Sequence, residues 1–76
     1  MNNTRRKVLD ELVEHLEEIK ARLEEVRQDE EESYDNLPES FQEGSRGERM
    51  QEVISQMEDA FGAIEEAIDA LTEARE

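Results

Sequence analysis

Carboxylates and apolar side chains keep the same seven-residue clock through the first half of this chain. The acidic pairs Asp10-Glu11, Glu17-Glu18, Glu24-Glu25 and Glu31-Glu32 recur at that interval, and Leu9, Leu12, Leu16, Ile19, Leu23 and Val26 run between them at alternate spacings of three and four. A half-buried strand would alternate with period two. A period of 3.5 instead gathers the apolar residues on one stripe of a helix and the carboxylates on another. With Leu9 at heptad position a, Leu16 and Leu23 are also a, Leu12, Ile19 and Val26 are d, and the acidic pairs fill b and c. Such a helix has one adhesive seam, which must be buried against a partner helix.

The partner is written into the second half. Met50, Ile54, Met57, Phe61, Ile64, Ile68 and Leu71 repeat the alternation of three and four. With Ile54 at a, Val53, Ala60, Ala67 and Ala74 occupy g, and Ala63 and Ala70 occupy c. Positions c, g, d and a are adjacent around a helix, so the apolar arc here is wider than on the first helix.

Between the two runs lies Tyr34-Asp-Asn-Leu-Pro-Glu-Ser-Phe-Gln-Glu-Gly44. Pro38 suits the first turn of a short helix, with Asp35 or Asn36 able to cap it, and Gly44 suits its end. Tyr34, Leu37 and Phe41 either fold over the end of the helix pair as a cap or stand exposed as an anchor for a partner. Ser45 and Glu48 have the spacing of a capping box. The expected organisation is a single domain over residues 1–76: a helix over 4–33 capped by Asn3 or Thr4, a connection over 34–45 and a helix over 46–75.

Two rods of about 30 residues, each roughly 45 Å long at 1.5 Å per residue, fold back on each other. Antiparallel pairing sets Leu9 against Leu71, Leu12 against Ile68, Leu16 against Ile64, Ile19 against Phe61, Leu23 against Met57 and Val26 against Ile54, with Lys20 near Glu58. The fold class is all-α, an antiparallel αα-hairpin of coiled-coil type. One hairpin leaves the row Val53, Ala60, Ala63, Ala67, Ala70 and Ala74 only partly covered. Small residues let another helix approach closely, so a homodimer forming a four-helix bundle, with the second helix central, is expected. A 76-residue chain is also marginal as a monomer.

Charge narrows the range of partners. With 23 acidic and 9 basic residues the formal net charge is −14, which disfavours direct binding to nucleic acid or to anionic membranes. Basic protein surfaces are the natural counterpart. The chain has no cysteine, so disulfides, thiolate metal sites and thiol chemistry are absent. No apolar run is long enough to span a bilayer, and Arg5-Arg6-Lys7 leads into a charged helix and not a signal-peptide core, so a cytoplasmic location is expected.

Nothing in the pattern asks for catalysis. General acid–base chemistry needs carboxylates in contrasting, water-excluding environments, whereas these sit at b, c and f, facing solvent. His15, the single histidine, stands at g between Glu11 and Glu18, but the residue three before it is Leu12, not the Glu of a di-metal bundle motif. It reads as a seam-edge residue lying over Ala67. Met50, Met57 and Phe61 have core spacing. Phosphate-binding glycine loops and nucleophile elbows are missing. The expectation is no enzyme, no catalytic residue, no cofactor and no metal site.

The acidic surface is the strongest functional candidate. Glu52, Asp59, Glu66 and Glu73 hold successive f positions beside Glu58, Glu65 and Asp69, and no Lys or Arg lies between Glu52 and Glu73. Two copies would carry −28, twice −14, over about 45 Å, against about 26 charges on duplex DNA of that length. Mimicry of nucleic acid is therefore within reach, although b, c and f are also where any soluble coiled coil keeps its charges. Arg5-Arg6-Lys7 opens the first helix and Asp29–Glu32 closes it, both against the helix dipole. Either those ends are compensated by neighbouring charges of the second helix, or Glu30, Glu31 and Glu32 form an acidic tip for a partner's arginines.

The connection Asp35-Asn-Leu-Pro-Glu-Ser40, followed by Ser45-Arg-Gly-Glu-Arg-Met50 and an Ala/Ile/Asp-rich second helix, resembles small acidic helical-hairpin proteins of phages and mobile elements. The resemblance implies a context and not an activity: interference with a host nucleic-acid-binding protein, or a role in assembly. From the residues themselves, the expected function is a non-enzymatic module binding a basic protein surface. Glu30, Glu31, Glu32, Asp59, Glu65, Glu66, Asp69 and Glu73 are the expected contacts. The alternative is a purely structural oligomerisation unit whose charges serve solubility.

Overall fold

Asn2 starts the first helix, one residue ahead of the expected caps: its side-chain Oδ1 accepts a hydrogen bond from the Arg5 N–H at 2.8 Å, satisfying one of the donors a helix start leaves free. The computed structural model describes residues 1–76 and contains only helices. These are α1 (Asn3–Asp35), a single turn α2 (Glu39–Gln42) and α3 (Ser45–Ala74). The molecule is a rod 58 × 15 × 11 Å, with α1 lying along α3.

Cross-helix contacts fix the direction. Arg6 donates to the Glu76 carbonyl, Arg75 pairs with Asp10, the Lys20 ammonium lies 5.2 Å from the centre of the Phe61 ring, and Gln51 donates to the Tyr34 hydroxyl at 2.8 Å. Low numbers on α1 meet high numbers on α3, so the helices are antiparallel.

α3 turns its expected seam inward. Met50, Ile54, Met57, Phe61, Ile64 and Leu71 are half-buried, and Ile68 is buried. α1 does not turn all of its seam inward. Leu9, Leu16 and Leu23 are half-buried, but Leu12, Ile19 and Val26 are 43%, 50% and 55% exposed. Position e takes their place: Val13, Lys20, Arg27 and Tyr34 are half-buried, with Lys20 over Phe61 and Tyr34 lining a groove with Ile54. Position a of α1 is therefore turned toward α3 as expected, and position d is not. α1 is rotated by roughly 50°, from a seam centred between a and d to one centred between a and e. The physical reason lies in the e residues: the methylene stems of Lys20 and Arg27 cover apolar surface while the Arg27 head turns outward to Glu24 and Glu31. Lys20 also gains the face of Phe61 and makes no ion pair with Glu58.

The turn is closed by backbone contact. The Gln42 amide donates to the Tyr34 carbonyl at 3.0 Å, a second donor for a carbonyl at the end of α1 that also accepts from the Leu37 N–H. Gly47 is buried because the Gln42 backbone crosses it: a Cβ there would sit 2.0 Å from the Gln42 carbonyl oxygen. The expected capping box does not form. Gly44 is the N-cap of α3, with no side-chain hydrogen bond, and Glu48 donates to the Gly44 carbonyl. The helix thus begins at Ser45, and Ser45 is already inside it. Gly44 also lacks the left-handed conformation of a helix stop, since no glycine has positive φ. Pro38 stands just before α2 as its N-cap, without side-chain capping from Asp35 or Asn36.

Candidate functional site

The two grooves along the hairpin differ in chemistry. Glu31, Tyr34 and Asp35 of α1 share one groove with Gln51, Ile54, Ser55 and Glu58 of α3. Further along, Glu17, Lys20, Ala21 and Glu24 stand beside Phe61. These are positions b, e and f on α1 and a, b and e on α3. Around a helix the order is a, e, b, f, c, g, d, so d and g of α1 and g and c of α3 belong to the opposite flank of each seam. That second groove carries Val8, Leu12, Ile19 and Val26 from one helix and Val53, Ala60, Ala63, Ala67, Ala70 and Ala74 from the other. The hairpin has an acidic side and an apolar side.

On the acidic side, Arg27 is the main organiser. Its guanidinium bonds Glu24 at 2.6 Å and Glu31 at 2.5 Å, a turn to either side on α1. The bonds from Arg27 hold the Glu24 carboxyl below its ordinary value of 4.5, and the two carboxylates raise the guanidinium above its own. Glu17 and Glu58 have no cation within ion-pair distance, so this groove presents open carboxylates at both helices.

The expected partner-binding residues do not converge. Glu31 lines the acidic groove, and Glu65 and Asp69 continue the stripe of Glu58 along it, Glu65 seven residues further on. Asp59, Glu66 and Glu73 hold f, on the back of α3, and Glu32 holds c, on the back of α1. Glu30 is half-buried at the helix interface. The compensation one alternative expected is met at one end of α1 alone: Arg6 at its basic start reaches the Glu76 carbonyl, whereas at its acidic end Arg49 bonds Glu52 on its own helix and no cation of α3 pairs with Asp29–Glu32. Glu17, Glu24 and Glu58 were not among the expected contacts. The signal that would have found them is the pair Val13 and Tyr34 at e, apolar residues that draw α1 round and set b beside the groove.

On the apolar side, Ala60, Ala63, Ala70 and Ala74 are exposed while Val53 and Ala67 are half-buried. His15 is exposed on the same flank, and no cluster of His, Asp and Glu is arranged to hold a metal ion. At the turn, Tyr34 and Leu37 are half-buried against the bundle end, whereas Phe41 is 53% exposed. The cap is made by two of its three expected members. No helix is long and apolar enough to cross a membrane. Comparison with protein families, with curated proteins and with solved structures gives no match.

Proposed function

We propose that this chain is a non-enzymatic interaction module: an acidic helical hairpin, dimerising into a four-helix bundle, that binds a basic protein surface. The observation that carries the reading is the segregation of charge. Glu17, Glu24 and Glu31 of α1 and Glu58 of α3 line one groove, and α3 holds no Lys or Arg between Glu52 and Glu73. A predominantly acidic strip, its cations Lys20 and Arg27 both on α1, accelerates encounter with a basic strip and sets its orientation, while buried contacts set affinity. Competition with nucleic acid is a natural form of this activity. Two copies carry −28, twice −14, along a 58 Å rod, and duplex DNA of that length carries about 34 phosphate charges.

The test compares two triple charge reversals, judged by capture of basic proteins from a cell lysate at 50 mM NaCl. Lysine at Glu31, Glu58 and Glu65 should lower capture at least tenfold. Lysine at Asp59, Glu66 and Glu73, on the back of α3, should leave it largely intact. Equal capture by both variants and the parent would end the proposal. A structural oligomerisation unit is the competing reading, favoured by the way Arg27 clamps Glu24 and Glu31 as a solvated helix surface does. That role should tolerate both reversals provided the molecule still assembles.

A further inference from the structure

The apolar side has an occupant that its own geometry selects. We infer that a second copy of this chain covers it, with α1 of each hairpin seated on α3 of the other and both turns at the same end of the bundle. The inference rests on the dimeric reading above and deepens it: the interface is shared by both helices, with α1 supplying the large side chains and α3 the small ones.

Area is the first argument. A compact monomer of 8.9 kDa exposes about 4,800 Å², and this hairpin exposes 5751 Å². The surplus, about 950 Å², is close to the ~800 Å² each partner contributes to a standard interface. Only two of 76 residues are buried, so a single copy lacks the core that a second would complete.

Shape is the second. Val8, Leu12, Ile19 and Val26 form a ridge of side chains 43–55% exposed, and the alanine row beside it forms a shallow trough. Ridge meets trough when two hairpins are related by a two-fold axis parallel to the helices. Such an axis carries no translation along the rod, so the register inside one hairpin fixes the register between two. Contacts such as Lys20 on Phe61 and Tyr34 on Gln51 place Ile19 level with the gap between Ala60 and Ala67. Leu12 is level with the gap between Ala67 and Ala74, and Val26 with that between Val53 and Ala60. Large side chains entering holes between small ones is how packed helices interdigitate. The alternative axis, perpendicular to the rod, sets ridge on ridge and trough on trough.

Ser40 is exposed on α2, away from both faces, and the chain has no native cysteine. A spin label on the Ser40→Cys protein therefore reports the distance between the two turns. The expected result is a dimer by sedimentation with labels about 20–30 Å apart, set by adjacent helix spacings and the label arms. Labels separated by nearly the 58 Å length of the rod would overturn this arrangement while leaving a dimer in place. A monomer at 100 μM would overturn both the arrangement and the dimeric reading beneath it. Ile19→Glu should raise the dimer dissociation constant at least about 100-fold with helicity retained, since it removes a buried isoleucine at two symmetric sites. An unchanged dissociation constant would count against the face.

Discussion

At the scale of single residues, α3 holds two glycines that should answer the same substitution with opposite signs. A Cβ at Gly47 would lie 2.0 Å from the Gln42 carbonyl oxygen and 2.6 Å from its Cα, and backbone cannot give way as a side-chain tip can. At Gly62 nothing lies within 4 Å. Gly47→Ala should destabilise the hairpin by about 1–3 kcal/mol, and Gly62→Ala should stabilise it by about 0.5–1 kcal/mol; urea denaturation followed by circular dichroism reads both. Arg27 supports a second residue-scale prediction. The Glu24 carboxyl, held low chiefly by the Arg27 hydrogen bond, should titrate below the ordinary glutamate range by carbon-detected NMR and return to it in Arg27→Ala. Because its folded value is depressed, its contribution to stability is present above about 4.5. That contribution is lost as pH falls through the lowered value. The close approach at Gly47 was not legible in the sequence, where Ser45 and Glu48 pointed to a capping box. Spacing reports which backbone groups a side chain could serve, and it is blind to another segment of backbone crossing the helix start.

At the scale of the helices, what decides the fold is which stripe of α1 faces α3. Half-buried Leu16 should lose more on truncation than Leu12, which is 43% exposed. Below the concentration at which hairpins associate, Leu16→Ala should cost roughly 1–3 kcal/mol and Leu12→Ala less than half as much. Equal losses would return α1 to the a and d orientation. Both long helices, their antiparallel sense and the whole α3 seam could be read from periodicity, because one wide apolar arc leaves α3 little choice of face. α1 offered two nearly equal choices. Counting only Leu, Ile and Val favoured d, while the stems of Lys20 and Arg27, hydrophobic along their length, made e the better cover for Phe61 and its neighbours. Glu32 was misplaced for the same reason. A rotation of roughly 50° carries position b into the groove and leaves c behind.

For the whole molecule, added salt should act in two directions. If two copies pair as proposed, they join surfaces of high like charge through apolar contacts, so the pairing should tighten as NaCl rises from 50 to 300 mM, because screening relieves repulsion. Capture of a basic partner should weaken over the same range. Sedimentation and binding titration, run in parallel buffers, separate the two, and a shared direction would mean that one surface does both jobs. The opposition of the two grooves has a further effect on stoichiometry. If pairing consumes the alanine-bearing side, each carboxylate strip is left facing away from the other across the bundle thickness. A pair built this way is a divalent linker and not a plug: it would hold two basic proteins back to back, and one with two such surfaces could be drawn into chains.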